Sequence, residues 1–310
     1  MRWTVASTCG RNPPRTSDPA DGVAGLKANL YALGAIALWA TLAGLGVALR
    51  HVPPFLLTST ALLIGSVLAL PVVLRNPVQW RIPVRTLALG VYGLFGFHFL
   101  LFIALRHAPA VEANLVNYLW PLFMVVLAPL LLRNVQLRGV HVAAALLGFA
   151  GAAIAILGAT LPDSVGAVAA SPWAWGYVPA LGSALIWASY SLWTQRVPAF
   201  STSAVGLFGL VSGLLSLLCH WALEPAVVLQ SRDWWLLLAM GLGPLGAAFF
   251  LWDKALKQGD ARQIGILSYI TPLASTALLM VLADRPFSWS IVLAAGLIIA
   301  AAVLGTRAKG

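Results

Sequence analysis

Ten apolar runs of about 20 residues each follow one another through the chain, and a run of that length is what a helix needs to cross a bilayer. They lie at roughly 28–49, 54–74, 84–105, 110–132, 139–160, 174–195, 203–222, 232–253, 261–282 and 288–306. The runs are continuously apolar rather than alternating, which argues for helices and against a β-barrel. Only 9% of the residues are charged, against about 25% in soluble domains. Polar surface for a water-soluble globule of this size is missing. The linkers are short and hold turn formers such as Pro53-Pro54, Asn76-Pro77 and Pro162-Asp163. The net charge of +10 comes from single basic residues scattered between apolar runs, with no basic stripe for nucleic acid.

Those basic residues set an orientation. With a cytoplasmic N-terminus, 15 of the 19 Lys and Arg fall in inner segments and 4, Arg50, Arg106, Arg232 and Arg285, in outer ones. The positive-inside rule then places both termini in the cytoplasm. Residues 1–26 lack the apolar core of a signal peptide and read as a disordered cytoplasmic tail. Cys9 and Cys219 have no metal-binding or redox spacing and read as unpaired.

The chain is written twice. Tyr118-Leu119-Trp120-Pro121 and Tyr269-Ile270-Thr271-Pro272 are one motif repeated 151 positions apart. At the same offset Gly90 matches Gly241, Phe99 matches Phe250 and Ala104-Leu105 matches Ala255-Leu256, while Trp39-Ala40 matches Trp187-Ala188 at offset 148. The expected fold is therefore all-α, with ten transmembrane helices in two five-helix repeats, residues 27–160 and 174–306. Five is odd, so the second repeat enters from the opposite side. An inverted repeat suits alternating access and serves no evident need of an enzyme. Zinc-protease, serine-hydrolase and phosphate-loop motifs are missing, which argues against an intramembrane enzyme or a nucleotide-driven pump, and no metal or cofactor is expected. A channel is a weaker alternative, because rings of charge or filter carbonyls are not evident.

The candidate site gathers where both copies carry a proline. Residues 117–121 lie about 10–16 Å into the fourth span, near the midplane of a core about 30 Å thick. Pro121 cannot donate to the carbonyl of Asn117, nor Pro272 to that of Ser268, so both prolines are candidate hinges. Asn114, Asn117, Tyr118 and Pro121 share a helical face, and Trp120 borders the same opening. In the second copy Ser268 and Tyr269 take the corresponding places. It is the plainer copy, so the first half is expected to contribute more of the specificity.

His98 is ionisable and deep in the third span, which makes it a functional candidate. Phe95 and Phe102 share its face at three-and-four spacing, and a neutral, hydrogen-bonding wall residue is expected. Trp39 and Trp187 lie mid-span, away from the interface where tryptophan usually sits. In the sixth span Ser183, Trp187, Tyr190, Ser191 and Thr194 form a half-polar stripe that should face the bundle interior. Such aromatic faces stack on rings and attract ammonium groups. Glu112, two residues into the fourth span and close to Arg106, reads as an interfacial carboxylate or, more sharply, as an outer gate. Lys254 is a candidate inner gate, with Asp253 as its local partner. Ala144, Gly148 and Ala152, like Gly209 and Gly213, read as ridges for close helix packing.

Ten spans in two repeats, with the segment Ala110-Val111-Glu112-Ala113-Asn114-Leu115-Val116-Asn117-Tyr118-Leu119-Trp120-Pro121-Leu122 and with His98, resemble the drug/metabolite transporter superfamily, EamA type. The branch of the YddG-type aromatic amino acid exporters is the nearest resemblance. It implies a monomeric bacterial inner-membrane exporter of aromatic and other hydrophobic amino acids, methionine or threonine among them, with a central cavity and lipid around it. It also puts Lys254 near the cytoplasmic opening. A drug or metabolite exporter for hydrophobic cations, driven by proton antiport, is the alternative. The deep membrane holds His98 but no central Asp or Glu, so facilitated efflux or exchange is the expected energetics.

Overall fold

A computed structural model describes residues 19–133, 135–158, 175–282 and 289–307, all of them in helices or their connections. The helices are α1 (Pro19–Ala40), α2 (Leu42–Ala48), α3 (Pro54–Ser66), α4 (Leu70–Arg75), α5 (Val84–Val91), α6 (Phe97–His107), α7 (Ala110–Asn117) and α8 (Trp120–Leu131). They continue as α9 (Gly139–Gly158), α10 (Tyr177–Trp193), α11 (Ala204–Leu223), α12 (Ser231–Leu242), α13 (Ala248–Gln258), α14 (Ala261–Leu267), α15 (Ile270–Leu282) and α16 (Trp289–Arg307). Helix α1 begins at Pro19, so residues 19–26 are helical rather than part of a tail. The rest of that expected tail, Cys9 included, lies outside the described residues.

Several short helices join end to end, and among the described residues eight helices, single or joined, are long and apolar enough to cross a membrane. Helix α10, with 17 residues, and the apolar stretch Trp289–Gly305 of α16 are shorter. Outward-facing leucines, valines and tryptophans such as Leu74, Leu130, Trp221 and Trp235 are exposed, as lipid-facing side chains should be.

The interruptions near Pro121 and Pro272 have a local cause. Pro121 is the second residue of α8 and Pro272 the third of α15, positions where a missing N–H breaks no helical bond. The chain therefore does not kink at the prolines. It stops one turn earlier, at Tyr118-Leu119 and at Ser268-Tyr269, and restarts with the proline inside the new first turn.

Two further interruptions were not foreseen. Tyr92–Gly96 and Gly243–Ala247 are single π-helical turns, again 151 positions apart, between α5 and α6 and between α12 and α13. A π turn inserts one residue and leaves carbonyls badly placed for the helical ladder. Side chains take up two of them here: His98 Nδ1 donates to Leu94 O at 2.6 Å, and Trp39 Nε1 to Pro244 O at 3.1 Å.

Helix α9 packs along α16, α3 along α11, α1 along α13, and α10 against both α6 and α8. The glycine ridges do what their spacing suggests. Gly213 packs on Leu63 and the Ser59 carbonyl, and a Cβ at Gly148 would stand 2.4 Å from the Tyr269 ring.

Candidate functional site

The two interrupted regions bring their side chains to one cavity of about 610 Å³. Its floor is aromatic. Trp39, Trp120, Trp187, Phe97 and Phe249 line it, and Trp252 lies fully buried among them. Trp252 is 5.1 Å from Trp39, 5.6 Å from Trp120 and stacked on Trp187 at 6.3 Å, centroid to centroid. Its Nε1 donates to Ser191 Oγ at 3.1 Å, which fixes the ring between α10 and α13.

One wall is polar. Asn114, Asn117 and Tyr118 face the cavity from α7 and the break after it, and His98 faces it from α6. Asn117 Oδ1 accepts from Ser183 Oγ at 2.8 Å, so the stripe on α10 positions the amide. Ser183, Trp187, Tyr190, Ser191 and Thr194 are all buried, and the stripe does face the interior. The Leu94 carbonyl can only accept, so the proton of the neutral His98 ring sits on Nδ1, leaving Nε2 as an acceptor. The rings around His98 are Phe97 at 5.0 Å, Phe102 at 6.0 Å and Phe249 at 6.3 Å. Phe95 instead packs on Phe99 at 5.5 Å, because the inserted residue of the π turn shifts the three-and-four register.

The cavity extends from this floor to Arg50 and Arg106. On the far side of Trp252, hydrogen bonds hold α13 to its neighbours. Gln195 Nε2 donates to Leu256 O at 3.0 Å, and Asp253 accepts from Lys257 at 2.6 Å and from Thr202 at 2.6 Å.

A family model for EamA-like transporters matches residues 26–157 and 174–307. The chain belongs to the EamA-like transporter family. It is thus a multi-pass membrane transporter and not an enzyme. Among its relatives, the aromatic amino acid exporter YddG of Ancylobacter novellus is 40% identical over 288 residues, covering 90% of this chain and 96% of the relative. The exporter of the same name from Escherichia coli is 28% identical over 274 residues, 85% of this chain and 91% of the relative. A solved structure aligns with a TM-score of 0.80 at 38% identity, covering 90% of this chain and 97% of that one.

For this EamA-like transporter, the expected site residues divide in two. Trp39, His98, Asn117, Tyr118, Trp120 and Trp187 converge on the cavity wall. Tyr190, Ser268 and Tyr269 do not. Tyr190 lies behind Trp187, its ring over Gly93. Ser268 is fully buried and bonds back to Ile264 O, and Tyr269 is buried against Gly148 and Phe149. The second copy reaches the cavity instead through Thr271 and Ser275.

The charged residues near the two ends find partners other than their sequence neighbours. Arg106 pairs with Glu224 at 3.0 Å, while Glu112 accepts from the Tyr177 hydroxyl. Asp253 pairs with Lys257, four residues on and hence on the same helix face. Lys254 points elsewhere, its Nζ 5.4 Å from the Tyr31 ring centroid. Sequence reasoning missed Phe97, Phe249 and Trp252. The hint for Phe249 is its place 151 positions after His98.

Proposed function

We propose that this transporter exports aromatic and other hydrophobic amino acids across the bacterial inner membrane. The observation that carries this reading is the pairing of an aromatic floor with a polar wall of His98, Asn114, Asn117 and Tyr118 in one cavity. The floor suits an aromatic ring. Amide and phenol oxygens and the Nε2 lone pair suit an ammonium. Two relatives bear the name aromatic amino acid exporter.

In this reading the chain has ten spans, α10 and α16 being the sixth and tenth, in two inverted repeats of residues 27–160 and 174–306. Both termini are cytoplasmic, which makes the Arg50–Arg106 end periplasmic. The cavity is then open outward and closed inward by the Trp252–Ser191 and Gln195–Leu256 bonds. Alternating access would break these bonds and close α2 on α6. Pro121 and Pro272 act as hinges because the chain is already interrupted one turn before each. Glu112 and Lys254 are rim residues at the outer and inner ends.

Among the described residues, none of the cavity-lining side chains is a carboxylate. That favours facilitated efflux or exchange by a monomer over proton antiport. Counterflow of labelled tryptophan in proteoliposomes should persist when the proton gradient is collapsed. Its loss under those conditions would show proton coupling instead.

A further inference from the structure

We propose that Arg50 and Arg106 form a carboxylate subsite at the rim of the cavity, so that a substrate binds with its carboxylate at the rim and its ring towards the tryptophan floor. This rests on the amino acid reading above and sharpens it, because it selects zwitterions over hydrophobic cations.

Helix α6 carries the gradient from floor to rim. His98, Phe102 and Arg106 stand at four-residue steps and all line the cavity. Two such steps are about 12 Å along the helix. The polar group therefore changes from an imidazole acceptor at depth to a guanidinium donor at the rim. Arg50, just past the end of α2, lines the same opening.

The two arginines are held differently. Arg106 is fixed by Glu224, whose side chain is fully buried. Glu224 also accepts from the first-turn amides of α3, Phe55 N at 2.9 Å and Leu56 N at 3.1 Å, and bonds His220 Nδ1 at 2.9 Å. Among the described residues only Nη2 of Arg106 bonds a partner, that carboxylate at 3.0 Å, which leaves its other N–H groups for a ligand. Its guanidinium carbon stands 5.8 Å from the Phe55 ring centroid, which further limits its rotation. Glu224 is thus a positioning residue for Arg106, with its own acceptor capacity shared among four donors. The Arg50 amide bonds Val47 O at 3.4 Å, but its guanidinium has no ion-pair or hydrogen-bond partner among the described residues. A guanidinium fork matches a carboxylate in shape and charge. With Arg106 balanced by Glu224 and no carboxylate among the cavity-lining residues to balance Arg50, the rim disfavours an amine that lacks a carboxylate.

Binding of L-tryptophan and of L-tryptophanamide to the purified full chain tests this, since the amide keeps ring and ammonium but loses the negative charge. Wild type should prefer tryptophan. Arg50→Gln should weaken tryptophan binding roughly tenfold, the size expected for one charge-assisted hydrogen bond, while the amide binds no more weakly than to wild type. Arg50→Lys should recover part of the loss. Arg106→Gln should act in the same direction, but it also strips a partner from buried Glu224, so Arg50→Gln decides. Equal loss of both ligands, or no change in their ratio, would overturn the subsite. A wild type that binds both equally would do the same. A wild type that binds neither would overturn the amino acid reading beneath it.

Discussion

Trp39 and Trp187 meet edge to face, with ring centroids 5.8 Å apart and planes at 76°. In the chain they stand 148 positions apart, at matching places in the two halves. His98 and Phe249, 151 positions apart, also touch, at 6.3 Å. In the proposed inverted repeat, matching residues that meet in this way would lie near the axis relating the halves, and the cavity floor would sit where both ends of an alternating transporter can reach one ligand.

His98 should be a residue of transport and not of folding. Its Nδ1 is committed to the Leu94 carbonyl, but Nε2 has no hydrogen-bond partner among the described residues. His98→Ala is expected to lower tryptophan uptake while membrane expression stays at the wild-type level. Uptake kinetics that do not change would contradict its place on the binding wall.

Asn117 and Ser183 should behave as a unit. A double-mutant cycle of Asn117→Ala and Ser183→Ala, read by thermal unfolding in detergent, is expected to show coupling of about 1 kcal/mol. Additive effects would mean that α10 does not position the amide.

Gly148 admits the Tyr269 ring, and a Cβ would come within 2.4 Å of Cδ2. The ring is enclosed and cannot swing aside. Gly148→Ala should therefore destabilise the protein by about 1–3 kcal/mol, the usual range for overpacking. Adding Tyr269→Ala should remove most of that new penalty. A Gly148→Ala protein that melts like the wild type would show that the ring has room to move.

Asp260 predicts an acid limb in stability. It caps α14 by accepting from Arg262 N at 2.8 Å, and its carboxylate pairs with the Arg262 guanidinium at 2.5 Å. Burial opposes its charge, but the hydrogen bonds and positive charge of Arg262 outweigh burial and hold its carboxyl below the usual carboxylate range. A group depressed on folding stabilises above its unfolded value. That contribution is complete above the ordinary carboxylate range and is lost as pH falls through the lowered value. Asp260→Asn should flatten this limb while keeping a side chain able to cap. An unchanged melting profile at acid pH would contradict the assignment.

The long apolar runs and the duplicated prolines made the helices and two of the breaks legible in advance. Length and a missing N–H are local properties, so sequence carries them. The π turns were hidden because no residue type demands one. They arise where carbonyls find partners in Trp39, from a remote span, and in His98. Tyr269 shows the opposite failure. Its match to Tyr118 is plain in sequence, yet Gly148 on α9 gives it a slot outside the cavity. Arg106 shows why charge partners are hard to read from sequence: Glu112 is its neighbour in sequence, while its partner Glu224 is 118 positions away and held by the start of α3.

Competition against labelled tryptophan counterflow in proteoliposomes tests the central claim most directly. With the cavity as described, unlabelled phenylalanine, tyrosine and tryptophan should compete strongly, methionine less, and aspartate and lysine not at all. Trp187→Ala should abolish the advantage of the aromatic amino acids. Equal competition by lysine and tryptophan, or an aromatic preference that survives loss of Trp187, would contradict the account.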